Sequence, residues 1–88
     1  MIEFENACEL AYNHFKEISP EYVLTSALEH ELYWIFYGGI PERIEYGGSG
    51  IKISREDGSK EPFRLPKELK ILRSSAKIAV PEKYSKVD

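Results

Sequence analysis

Six consecutive apolar or aromatic residues at positions 32–37, LYWIFY, constrain this chain more than any other feature. Because successive side chains of a strand point to opposite faces of a sheet, the run predicts a strand that is apolar on both faces. A chain of 88 residues forms a single domain with a modest core, so it has little material to cover both faces. The central structural question is therefore what covers the second face.

The first 19 residues predict an N-terminal helix. Their apolar residues recur at three- and four-residue spacing, and glutamates lie near the start, where the helix dipole favours negative charge. Ser19-Pro20 predicts the end of the helix, because proline disfavours the helical conformation for the residue before it.

Residues 22–28 and 32–38 predict two strands joined by a tight connection, since both runs are rich in β-branched and aromatic residues. The glycine-rich residues 38–50 predict a loop. Asp57-Gly58, flanked by alternating apolar residues, predicts a hairpin.

The C-terminal third of the chain is less clearly patterned. Pro62 places its strand at an edge or a bulge, because proline cannot donate to a ladder. Residues 67–76 favour a short helix, although KIAV at 77–80 equally fits a short strand. The tail after about residue 80 is expected to be loosely held.

These elements predict an α+β domain over residues 1–88. Its N-terminal helix packs on one face of a four-stranded antiparallel meander, and a short helical segment follows. The core is predicted to contain Phe4, Ala7, Ala11, Phe15, Ile18, Leu24, Leu28, Trp34, Phe36, Ile51, Ile53, Phe63 and Leu65.

The charges are distributed unevenly along the chain. Residues 1–38 contain seven acids and one base, giving −6, and residues 39–88 contain eleven bases and eight acids, giving +3. Either the acidic and basic elements pair locally, or the first half presents an acidic surface that attracts a basic partner.

No residue pattern predicts catalysis, a cofactor or a metal site. Cys8, His14 and His30 are the soft or imidazole ligands of the chain, and no pair of them has zinc spacing. The segment GGSGIK departs from a phosphate-binding loop, because an isoleucine separates its last glycine from the lysine. We therefore expect a protein that is not an enzyme and has no cofactor.

The composition indicates a cytoplasmic protein. One cysteine excludes an internal disulfide. No run of about 18 apolar residues predicts a membrane span, and the acidic N-terminus lacks the basic region of a signal peptide.

The second face of the predicted sheet carries Tyr33 and Tyr37. Either the C-terminal segment folds back and covers part of this face, or an aromatic patch with a polar rim stays exposed for a protein partner. Aromatic and basic residues together can also stack single-stranded nucleic acid, but the net charge of −3 argues against that partner.

The order of these features is similar to the YrhB-like family of small bacterial immunity proteins. The segments that carry the resemblance are FENACELAYNHF, YVLTSALEHELYWIFYG and GGSGIKISREDGSKEPFRLP, and together they span roughly residues 1–66. Members of that family protect a cell against a polymorphic toxin, and some are described as chaperone-like. The family has no catalytic residues to carry over.

The resemblance implies a protein-binding module that neutralises a toxin domain by covering its surface or active site. An alternative is a structural or chaperone-like domain, with a homodimer formed through the second face. An enzyme would need a pocket lined by Glu42, Tyr46 and His30. The residues predicted to contact the partner are Tyr33, Tyr37, Glu29, Glu31, Glu42 and Arg43.

Overall fold

A computed structural model describes residues 1–40, 50–63 and 68–85 of the chain. Its elements are α1 (Phe4–Ile18), β1 (Val23–Glu29), β2 (Tyr33–Gly39), β3 (Gly50–Ser54), β4 (Lys60–Phe63), α2 (Leu69–Arg73), β5 (Ala76–Ile78) and a final 3-10 turn (Glu82–Tyr84). Most of the loop predicted over residues 38–50 lies outside the described residues.

The α+β class and the N-terminal helix on an antiparallel sheet are confirmed. The sheet has five strands in the order β4-β3-β2-β1-β5, so the prediction of four strands was wrong. The extra strand comes from the ambiguous C-terminal segment, in which α2 ends at Arg73 and β5 then pairs antiparallel with β1. Both alternatives for this segment therefore occur, one after the other.

Helix α1 covers the first face of the sheet with a dry apolar interface. Its stripe at positions 7, 8, 11 and 15 is fully buried. Beneath it lie two cross-strand pairs, Phe36 opposite Ile51 and Trp34 opposite Ile53. Such cross-strand pairs stabilise a sheet. The aromatic member of each pair, Trp34 or Phe36, also contacts the Phe4 ring on α1.

Two residues of the predicted core lie elsewhere. Ile18, the last residue of α1, is 55% exposed. Leu28 is buried but belongs to the second face, since a bulge between Leu24 and Ser26 inserts one extra residue, Thr25, into β1. The bulge reverses the alternation of faces for the rest of the strand. Leu65 lies outside the described residues.

Gly38 permits the closest approach between α1 and the sheet. A Cβ atom at this position would lie 2.6 Å from the Phe15 ring. Phe15 has no exposed surface, so the ring has little room to move away. The glycine is therefore required by packing against α1.

The β3–β4 hairpin forms where Asp57-Gly58 predicted it. Gly58 has a positive φ of 77°, and the Ser59 amide donates to the Asp57 carboxylate at 2.9 Å. These amide hydrogen bonds lower the pKa of Asp57. Strand β4, which carries Pro62, lies at the edge of the sheet, as predicted.

The segment after residue 80 returns to the first face. Val80 and Tyr84 pack against its core, and the Tyr84 ring lies 5.4 Å from the Tyr12 ring on α1.

Candidate functional site

The second face of the sheet is partly covered by α2. A small buried cluster of Leu28, Ile35 and Phe63 lies on this face. Ile71 and Leu72 of α2 pack against it. Of the two alternatives that the sequence left open for this face, the arrangement matches the one in which the C-terminal segment folds back and covers part of it.

Tyr33 and Tyr37 line the same face and are half-buried. The Tyr37 ring meets the Phe63 ring edge-on, with the centroids 6.0 Å apart, and burial raises the pKa of Tyr37. Tyr37 therefore serves mainly to pack this face, whereas Tyr33 lies at the end of the strand beside the β1–β2 turn.

An ion pair joins α2 to the sheet. Lys52 Nζ on β3 lies 2.5 Å from Oε1 of Glu68, the residue that directly precedes α2. The same Nζ lies 3.7 Å from a carboxylate oxygen of Glu61. Burial by itself lowers the pKa of Lys52, but the hydrogen bond and charge of Glu68, with smaller effects of Tyr33 and Glu61, raise it above its ordinary value. The lysine therefore stays charged, and it fixes the position of α2.

The β1–β2 turn exposes an apolar side chain, Leu32, next to the predicted contact residues. Leu32 is 60% exposed, and Glu29 and Glu31 beside it are exposed carboxylates. Tyr33 begins β2 at the base of the turn. We call these four residues, Glu29, Glu31, Leu32 and Tyr33, the turn surface.

Hydrogen bonds hold the turn surface in one shape. The Leu32 amide donates to His30 Nδ1 at 3.0 Å, and the His30 amide donates to the Tyr33 carbonyl at 3.0 Å. From the neighbouring hairpin, the Arg55 side chain donates to the His30 carbonyl at 2.9 Å, and its amide donates to the Leu32 carbonyl at 3.0 Å. The exposed leucine therefore sits on an ordered backbone.

Arg55 also connects the turn to the core. Its guanidinium lies 4.1 Å from the centre of the buried Trp34 ring, a cation–π contact. The Trp34 indole donates to the Ile2 carbonyl at 3.3 Å, and the Ile2 amide donates to the Arg55 carbonyl at 2.8 Å. The turn is thus fixed to the first face.

The acids of the first 38 residues form no ion pair within the described parts of the chain. All seven are exposed. Both ion pairs in those ranges involve Lys52 and acids of the second half. Lys16, the one base of this half, donates to the Pro20 carbonyl instead. Among the described residues, local charge pairing therefore involves acids of the second half of the chain and not those of the first.

The structure places three of the six predicted contact residues, Glu29, Glu31 and Tyr33, at the same end of the sheet, whereas Tyr37 lies further along β2. Glu29 is paired with Trp34 of the first face, and Tyr33 packs on the second face. Glu42 and Arg43 lie outside the described residues.

Sequence reasoning assigned Leu32 to the strand and so missed it as a contact residue. The signal was its position directly after the charged connection EHE.

Cys8 lies in the core, on the buried side of α1, rather than at an accessible surface. Cys8 is fully buried, and burial first, then the charge of Glu5, raises its pKa to about 12. A thiol in that state is a poor nucleophile. No group of three metal-ligating side chains occurs in the ranges that the structure describes.

No protein-family model, curated protein or solved structure matches the chain. The resemblance to the YrhB-like immunity proteins therefore stays a prediction. None of the helices within the described residues is long and apolar enough to cross a membrane.

Proposed function

We propose that this chain is a non-enzymatic, cytoplasmic protein-binding module that contacts its partner through the turn surface. By the resemblance stated above, the partner is a toxin domain whose surface or active site the module covers. The observation that carries the proposal is Leu32, an exposed leucine held on an ordered turn directly after two exposed glutamates, Glu29 and Glu31.

The energetics of the turn surface suit an interface. Fully burying a leucine side chain contributes about 1.5–3 kcal/mol, and Leu32 keeps 60% of its surface available for a partner. Because the backbone of the turn is already ordered, binding loses little conformational entropy there. Tyr33 at the base of the turn supplies an aromatic contact of the kind enriched in binding hot spots.

The charge of the region indicates a basic partner. Glu29 and Glu31 precede Leu32 in the chain, and the exposed acids of α1 belong to the same half of the chain. Unpaired carboxylates accelerate the approach of a positive surface and discriminate against a negative one. The partner is therefore expected to present a basic rim around an apolar pocket.

The second face is a weaker candidate for the contact. Helix α2 already covers part of it, and the Lys52–Glu68 ion pair holds α2 there. A homodimer through that face has correspondingly less apolar surface to bury.

Leu32→Ser tests the proposal, with Ile18→Ser as the matched control. The two residues have similar exposure, 60% and 55%, but Ile18 lies at the end of α1 and outside the turn surface. We expect a partner captured by the wild-type chain to be retained by Ile18→Ser and lost by Leu32→Ser. Equal retention by both variants would contradict the proposed contact.

A second experiment tests the toxin assignment. If a toxin-encoding reading frame lies immediately upstream, we expect co-expression of the wild-type chain to protect cells from that toxin. Protection should fall for Leu32→Ser and persist for Ile18→Ser. A toxin that remains fully active beside the wild-type chain would overturn the immunity role.

A further inference from the structure

His30 occupies the centre of the turn surface and uses its ring as a hydrogen-bond acceptor. Nδ1 accepts the Leu32 amide at 3.0 Å. A backbone amide can only donate, so this contact requires a lone pair on Nδ1, which the neutral ring provides when its proton is on Nε2. The interaction is equivalent to the turns in which an asparagine side chain accepts an amide two residues later.

We propose that His30 makes the turn surface pH-sensitive: the neutral ring holds the Leu32 amide, and protonation of Nδ1 releases it and reshapes the turn. The consequence for binding rests on the proposed function, because Leu32 is the apolar centre of the surface that the partner would contact.

The chemistry of the ring sets the direction of the change. An imidazolium donates from both nitrogens and accepts from neither, so the bond to the Leu32 amide cannot survive protonation. Histidine is the side chain that ordinarily changes charge between about pH 5 and 8. The ordered form of the turn therefore requires the neutral ring.

Charged and titratable neighbours surround the ring. Glu29 and Glu31 adjoin it in sequence and attract an imidazolium. The Arg55 guanidinium, bound to the His30 carbonyl, repels one. The Tyr33 ring lies 5.6 Å from the imidazole, centroid to centroid.

Loss of one hydrogen bond predicts a modest effect. The net value of such a bond corresponds to roughly a threefold to tenfold change in an equilibrium constant. We expect the Leu32 amide to exchange with solvent roughly threefold to tenfold faster, relative to its intrinsic rate, once His30 is protonated. Binding through the turn surface should weaken by a similar factor.

NMR of the whole chain between pH 5 and 8 tests the proposal without a partner. The ring ¹⁵N shifts of His30 should show the Nε2–H tautomer at pH 8. The Leu32 amide shift should follow the same titration midpoint as the ring. His30→Asn keeps an acceptor that does not titrate, so its Leu32 amide should stay constant over this range.

His14→Gln is the control, because His14 is the other histidine of the chain and lies on α1. It should leave the titration of the Leu32 amide unchanged. A Leu32 amide that ignores protonation of His30, or an Nδ1–H tautomer at pH 8, would overturn the proposal. If the chain did not bind a protein partner, the His30 tautomer and the titration of the Leu32 amide would be unchanged. Failure of the proposed function is therefore distinguishable from failure of this proposal.

Discussion

The two faces of one sheet are covered in different ways. On the first face, the 15-residue helix α1 packs four fully buried side chains onto paired aromatic and aliphatic residues. On the second face, the five-residue helix α2 has no buried residue, and a lysine–glutamate pair lies beside its apolar contacts. The comparison shows that the longer helix buries several of its own side chains against the sheet, whereas the shorter one buries none.

Helix α2 depends on its tertiary contacts for its existence. A helix of five residues is far below the length that is stable alone in water, and no side chain caps its N-terminus. Ile71, Leu72 and the ion pair of Glu68 supply its contacts with the sheet. The first face should therefore set global stability, and the second should respond to the ion pair.

Phe36→Ala should have the largest effect and test the dominance of the first face. Phe36 has no exposed surface and packs beneath α1, and truncating such a residue costs about 3–5 kcal/mol. Tyr37→Ala, one residue further and on the half-buried second face, should cost less in urea denaturation. Equal losses of stability in Phe36→Ala and Tyr37→Ala would contradict the expected difference between the two faces.

Glu68→Ala should rank second. It leaves Lys52 without its closest partner, and we expect a loss of about 2–3 kcal/mol in the free energy of unfolding, below the ~3–5 kcal/mol of a fully buried pair. Glu61→Ala is the control, because Glu61 contacts the same Nζ but is 61% exposed; it should cost about 0–1 kcal/mol. Similar costs for both variants would show that the pair does not fix α2.

Gly38→Ala probes how closely α1 approaches the sheet. The new methyl group would overlap the Phe15 ring, and overpacking of this kind costs about 1–3 kcal/mol. Combining it with Phe15→Leu should recover part of that loss, giving a double-mutant coupling measurable by urea denaturation. Simple additivity of the two changes would contradict the predicted contact.

Alkaline pH should give the smallest effect and act on the second face. The folded pKa of Lys52 is raised, so its contribution to stability is fully present below the unfolded value of about 10.4 and is lost as pH rises through the folded value. Stability of the wild type should therefore fall more steeply above about pH 10 than that of Lys52→Met. Tyr37, whose raised pKa acts in the same direction, is present in both chains and cancels. If the free energy of unfolding of the wild type and of Lys52→Met fell equally with rising pH, charged Lys52 would not stabilise the second face.

Local patterns predicted much of the fold because their causes lie within a few residues. The three- and four-residue spacing predicted α1, and Asp57-Gly58 predicted the β3–β4 hairpin. Of the turn surface, the sequence pointed to Glu29, Glu31 and Tyr33. It missed Leu32, since the exposure of that residue depends on where β2 begins.

The sequence by itself determined the N-terminal helix, the antiparallel hairpins and a β2 strand that is apolar on both faces. Only the tertiary structure decided that a bulge at Thr25 moves Leu28 to the second face, that β5 joins β1, and that Glu68, directly before α2, pairs with Lys52. The physical reason is range. Periodicity and turn chemistry act between neighbours in the chain, whereas the pairing of β1 depends on where a segment 49 residues later returns, as Lys77 does opposite Leu28.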